Sequence, residues 1–203
     1  DRVAAYVPNI PEALIAFLAT ASLGAIWSSC SPDFGASSVA DRFAQIEPKA
    51  LIAVDGYRYA GKPYDRSAVV REIAAKLPSL QAVVWVPLLG GDGPAPAADG
   101  GVRALSWAEL RSEEAGLEFE RVPFGHPLWV LYSSGTTGLP KPIVHGHGGI
   151  VLEHLKSLSF HQDLGEGDRF FWYTTTGWMM WNYLVSGPAV GAAVVLFDGD
   201  PGH

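Results

Sequence analysis

Short apolar runs alternate along this chain with stretches whose apolar residues recur at helical spacing. Residues 3–7 read as a buried strand closed by Pro8 and Asn9. Pro11 suits the first turn of a helix over residues 12–23, which Gly24 ends. A second strand follows at 25–29. A helix at 37–46 then carries Val39, Phe43 and Ile46 on one face. Strands are expected again at 51–54 and 82–86, with a hairpin at 56–62 and a helix at 65–77 between them. Parallel strands need helical crossovers, so this repetition predicts an α/β fold of layered, mostly parallel sheets flanked by helices.

The pattern changes after residue 86. Beyond Leu88 and Leu89, residues 88–101 are Gly, Pro and Ala with two acids, the composition of a flexible surface loop. Ser106 followed by Glu109 is a capping-box spacing and starts a short helix. A new strand at 128–132 leads through a polar turn to Ile143 and Val144. A helix over 146–160, a strand at 170–173, a Trp-rich helix at 177–186 and a strand at 192–197 complete the reading. This organisation predicts a first α/β subdomain over 1–120 and the start of a second over 121–203. The first residue is Asp, and the last segment stops in a turn just after a strand. The chain therefore reads as a piece whose remaining partner is the rest of its own parent chain.

Composition narrows the function classes. Apolar residues make up 48% of the chain and charged ones 17%, which is globular usage. With 14 Lys+Arg against 21 Asp+Glu, the net charge of −7 argues against nucleic acid as a partner, because phosphate neutralisation needs a clustered basic surface. No apolar run approaches the ~20 residues of a membrane span, and no secretory signal opens the chain. The expected compartment is cytoplasmic. Cys30 is the only cysteine, which leaves no intrachain disulfide and no thiolate zinc site. His145, His147, His154 and His161 invite a metal reading, but no Asp, Glu or Cys joins them at ligand spacing apart from Glu153, which falls elsewhere on the helix; no metal ligand is assigned.

The segment Tyr132-Ser133-Ser134-Gly135-Thr136-Thr137-Gly138-Leu139-Pro140-Lys141 carries chemistry. A buried strand runs into small and hydroxylated residues, whose backbone N–H groups can curl around a phosphate, and a lysine follows. It is not a Walker A loop, because Leu139 and Pro140 separate Gly138 from Lys141. Nor is it a nucleophile elbow, because Gly-x-Ser-x-Gly is absent. The residue order resembles the phosphate-binding signature of the adenylate-forming superfamily, which includes acyl-CoA synthetases, peptide-synthetase adenylation domains and luciferases. Ala21-Ser22-Leu23-Gly24-Ala25-Ile26-Trp27-Ser28 resembles the segment that precedes this loop in the family. Lys141-Pro142-Ile143-Val144-His145-Gly146-His147-Gly148-Gly149 is similar to the short-chain acyl-CoA synthetases, and Pro142, where most members carry Gly, narrows the branch. Phe171-Trp172-Tyr173-Thr174-Thr175-Thr176-Gly177-Trp178-Met179-Met180-Trp181-Asn182 resembles the acetoacetate-activating members. The likeness runs over essentially the whole chain.

The resemblance implies a ligase that joins acetoacetate to coenzyme A at the expense of ATP, through an acyl-adenylate, with Mg2+. It implies that Ser133, Ser134, Gly135, Thr136, Thr137 and Gly138 hold the β- and γ-phosphates. Lys141 steers the departing pyrophosphate, and Thr136 acts with it. Trp178, Met179 and Met180 are implied to line the acyl pocket, and Asn182 is a candidate donor to a keto oxygen. The family's aromatic-Gly-x-Thr-Glu motif, ribose-binding aspartate, hinge and C-terminal domain are absent from this sequence, so little turnover is expected from it alone. Acetate or propionate as the acid, and a non-catalytic nucleotide-binding protein, stand as alternatives.

Overall fold

The computed structural model describes residues 1–90, 101–133 and 138–202. Its centre is a seven-stranded sheet of order β7-β6-β3-β1-β2-β8-β9, built from β1 (Arg2–Tyr6), β2 (Ile26–Cys30), β3 (Ala50–Val54), β6 (Ala82–Val86), β7 (Arg103–Ser106), β8 (Pro127–Ser133) and β9 (Lys141–Gly146). All neighbours run parallel except β8 and β9. β8 and β9 continue the same sheet that β1 starts. The fold is α/β, as the alternation predicts.

The inner strands are apolar at nearly every position because helices cover both faces. From β1, Ala4 and Tyr6 face α2 (Ala36–Phe43) and α3 (Ser67–Ala75), while Ala5 and Val7 face α1 (Pro11–Ser22). Leu51 and Ala53 of β3 alternate with Ile52 and Val54 in the same way. On the α1 side Phe17, Trp27, Trp129 and Trp181 meet ring against ring at centroid distances of 5.4 to 6.2 Å. Pro11 opens α1, and Gly24 follows it at φ +66°. A Cβ on Gly24 would also press within 3.2 Å of Glu120 and Val122, so glycine is required twice over.

Two small sheets flank the large one. β4 (Gly56–Tyr59) and β5 (Lys62–Asp65) form a hairpin whose turn residues, Ala60 and Gly61, both have positive φ, as a two-residue hairpin turn demands. β10 (Arg169–Phe171) pairs in parallel with β11 (Ala193–Val195) over Leu158, Tyr183 and Leu184. Ser106 caps α4 (Trp107–Ser112) with the reciprocal Glu109 bond that the spacing predicts.

Several boundaries differ from the sequence reading. β9 begins at Lys141 and includes Pro142, which a central strand would exclude; β9 is the outer strand, where proline is tolerated. α5 (His147–Lys156) passes into a wider turn over Ser157–His161, so the helix ends earlier than residue 160. The Trp-rich helix is only α6 (Met179–Leu184). The strands near 170 and 195 are three residues each. Of the loop expected at 88–101, residues 91–100 lie outside the described residues.

Candidate functional site

The phosphate-loop sequence leaves the sheet between β8 and β9. Ser133 and Lys141 are cross-strand partners in that antiparallel ladder, so the segment between them starts and ends at one point on the sheet. Both are exposed. Ser134, Gly135, Thr136 and Thr137 lie outside the described residues. Gly138 has φ +110°, a backbone that residues with a Cβ rarely adopt. The foot of the loop is tied to the end of α2 on both sides. The Tyr132 hydroxyl donates to the Arg42 carbonyl at 2.6 Å. The Gln45 amide donates to the carbonyls of Pro140 at 3.0 Å and Asp41 at 2.7 Å. Burial pushes the Tyr132 phenol up, which keeps it a neutral donor. Gln45 escaped the sequence reading because its partner is 95 residues away.

Met179 and Met180 sit at the start of α6 and share a recess of about 460 Å³ with residues of β8, β9 and α5. Trp129, Trp172 and Tyr183 give it aromatic walls, and His145 and His154 give it polar atoms. The Trp129 indole N–H donates to Nδ1 of His145 at 2.9 Å. His154 Nδ1 lies 2.6 Å from the Ser186 hydroxyl, which itself donates to the Asn182 carbonyl. Burial lowers the His154 pKa, opposed by Glu153 and assisted by His145. Trp178 stands apart: it is the residue before α6, 65% exposed, and does not line the recess. Asn182 lines the recess at 1% exposure, with both amide atoms unpaired among the described residues.

The Thr run before Trp178 anchors this region to the sheet. Thr176 donates its hydroxyl to the Val7 carbonyl at 2.6 Å and accepts from Ser29 at its own carbonyl at 2.8 Å. Beside it a crevice of about 360 Å³ opens beyond the carboxyl ends of β1, β2 and β3, lined by Asn9, Asp33, Tyr57, Tyr59, Tyr173 and Asp198 among others. The chain leaves β1 toward β2 on one side and returns to β3 on the other. Open α/β sheets take ligands at such a reversal. Burial within the crevice pushes the Asp198 carboxyl up to about 6. Neither Asn9 nor Asp198 belongs to a site motif in the sequence; strand order brings them together.

Of the four histidines only His145 and His154 meet, on the recess wall. His147 stacks near His126 at 5.7 Å between ring centroids, His154 turns toward Ser186, and the wide turn after α5 displaces His161 from their face. Among the described residues no group of three or more His, Cys, Asp or Glu side chains could hold a metal ion.

A family model described as AMP-binding enzyme matches residues 1–202. The chain belongs to the AMP-binding enzymes. Within this family it is 54% identical over 203 residues to an acetoacetyl-coenzyme A synthetase of Rhizobium meliloti, covering 99% of this chain and 31% of that protein. It is 45% identical to an acetoacetyl-CoA synthetase of Danio rerio, with 99% and 31% covered, and 46% identical to a malonamoyl-CoA synthetase of Penicillium aethiopicum, with 99% and 28% covered. The solved structure of an acetoacetyl-CoA synthetase from Streptomyces lividans superposes with a TM-score of 0.93 at 59% identity, covering 99% of this chain and 30% of that one. As an AMP-binding enzyme, then, the chain spans about a third of the length of the relatives it matches.

Proposed function

We propose that this chain supplies one edge of the ATP site and one wall of the acyl pocket in an AMP-forming ligase that joins acetoacetate to coenzyme A. The observation that carries the reading is the 54% identity to an acetoacetyl-coenzyme A synthetase across 99% of the chain. The acid's carboxylate oxygen attacks the α-phosphorus of ATP and pyrophosphate leaves. The resulting mixed anhydride has a good leaving group, and the thiol of coenzyme A displaces AMP.

The chain's own residues bind and orient in this scheme. Residues 133–138 hold the β- and γ-phosphates through backbone N–H groups, with hydroxyls from Ser133, Ser134, Thr136 and Thr137 and room for close approach at Gly135 and Gly138. Lys141, facing Ser133 across the ladder, offsets charge at the foot of the loop as pyrophosphate departs, and Thr136 acts with it. Met179 and Met180 shape a small adaptable acyl site; Trp178, which the resemblance also assigns to it, stands outside the recess. Magnesium would enter with the phosphates of ATP and offset their charge as the phosphate bond breaks.

The same reading makes the protein a cytoplasmic enzyme of small-molecule substrates, without nucleic-acid or membrane partners. Residues 1–120 and 121–203 belong to successive subdomains of the larger enzyme, and the rest of that enzyme is their partner. No helix among the described residues is long and apolar enough to cross a membrane.

The test is acid-dependent exchange of labelled pyrophosphate into ATP, run on the longest reading frame that carries this sequence with the 203-residue chain alongside. Exchange stimulated by acetoacetate well above acetate and propionate is expected from the long chain, and little from the short one. Exchange with acetate instead keeps the mechanism and overturns the acid. Binding of Mg-ATP without exchange for any acid overturns the enzyme reading.

A further inference from the structure

We infer that His145 reads the carbonyl oxygen at the β-carbon of the acid, donating from Nε2 into the Met179–Met180 recess. The inference rests on the ligase reading above and adds to it a specificity-determining residue.

An indole N–H has no lone pair and only donates, so the Trp129–His145 bond at 2.9 Å requires a lone pair on Nδ1. The neutral ring then carries its proton on Nε2, because which nitrogen is protonated follows from the bond made by the other. Trp129 is 1% exposed and its ring is fixed among Phe17 and His154, so the donor cannot turn away. His145 Nε2 has no hydrogen-bond partner among the described residues, and the ring is only half-buried on the recess wall. The structure therefore presents a donor of set orientation in a recess that Met179, Met180, Trp129 and Trp172 share with the polar side chains of Glu153, Ser157, Gln162 and Asn182.

Asn182, the candidate from sequence, does not take this place. Asn182 lines the same recess, but its amide atoms have almost no solvent exposure, whereas the His145 ring is half-buried on the wall. The substrate chemistry agrees with a donor here. Acetoacetate and malonamate, the acids in the names of the relatives, differ in their terminal group but share a carbonyl at the β-carbon. Butyrate matches acetoacetate in chain length and lacks that oxygen. A donor left unpaired against butyrate discriminates by more than apolar contact can.

The test compares acetoacetate with butyrate in pyrophosphate exchange by the longest reading frame, for the wild type, His145→Phe and His145→Gln. The wild type is expected to prefer acetoacetate. In His145→Phe the ratio of the two kcat/KM values is expected to fall about tenfold to a hundredfold, and His145→Gln, which keeps an N–H, to recover part of it. A wild-type preference that survives intact in His145→Phe overturns this inference and leaves the ligase reading standing. A wild type without the preference overturns the acetoacetate reading itself. A second measurement needs no variant: nitrogen-15 NMR of the imidazoles is expected to find His145 protonated on Nε2, and a proton on Nδ1 overturns the inference.

Discussion

The indole N–H of Trp181 donates to Oδ1 of Asn9 at 3.0 Å, joining residues 172 positions apart. Trp181 is 0% exposed and Asn9 4%. The Asn9 amide nitrogen donates in turn to the Phe197 carbonyl at 3.3 Å. One side chain at the end of β1 thus holds both the start of the recess helix and the far wall of the crevice. Asn9→Ala leaves the buried indole donor unpaired, and a loss of about 2 kcal/mol is expected. Asn9→Asp keeps the acceptor for Trp181 but loses the N–H to the Phe197 carbonyl and buries a carboxylate, so it is expected to lose at least as much at neutral pH. Urea unfolding of the 203-residue chain checks both, read as a lower midpoint at unchanged slope.

Gln45 offers a cleaner separation of positioning from stability. It is exposed, and its amide bridges α2 to Pro140 at the foot of the phosphate loop. Gln45→Ala is expected to change stability by no more than about 0.5 kcal/mol. In the longest reading frame it is expected to raise the KM for ATP severalfold, because the loop's exit loses one of its ties to the sheet. Lys141→Ala, by contrast, is expected to lower kcat of the exchange about tenfold to a hundredfold, since it removes charge from the departing pyrophosphate. Steady-state exchange kinetics with ATP varied distinguish the two.

Asp198 contributes a pH dependence of one sign. Burial raises its carboxyl from 3.8 to about 6, so between those values the folded chain holds a proton that the unfolded chain has released. Stability therefore falls as pH rises through that window, and the loss is complete above it. The side chain still meets solvent in the open crevice, so screening reduces the cost to about 1 kcal/mol. Asp198→Asn is expected to match the wild type near the lower value and to exceed it by that amount at neutral pH, in urea midpoints taken across the range.

The inner strands and the phosphate-loop sequence are legible without coordinates for a physical reason: each is local. Ala4, Ala5 and Tyr6 are apolar because helices cover both sides of β1, and Ser106 and Glu109 cap α4 through their own spacing. β7 escapes because Arg103 and Ala104 are exposed on an outer strand and carry no apolar pattern. Pro142 hides the start of β9 for the same reason. Of the candidate site, Met179 and Met180 are found together in the recess, whereas Trp178, apolar by sequence, stands in solvent. The Trp129–His145 bond and the crevice around Asn9 and Asp198 depend on strand order and register, which a single sequence does not display.

The histidines give the opposite pH slope. Burial lowers the pKa of His154 from its ordinary 6.5, and burial beside His126 lowers that of His147. Below the ordinary value the unfolded chain takes up a proton that the folded chain resists, so the unfolded state binds more protons and stability rises with pH in that range. Once pH exceeds about 6.5, both states are neutral at these rings and the contribution is flat. Acidification from pH 7.5 to 5.5 is therefore expected to destabilise the chain, against the direction set by Asp198. In Asp198→Asn the histidine slope stands alone and steepens. Adding His154→Gln removes one titrating ring and flattens it again, at the cost of the Ser186 contact at every pH. Urea midpoints of the three chains at both pH values check the signs: an Asp198→Asn chain that is less sensitive to acid than the wild type contradicts the assignment of the two opposing groups.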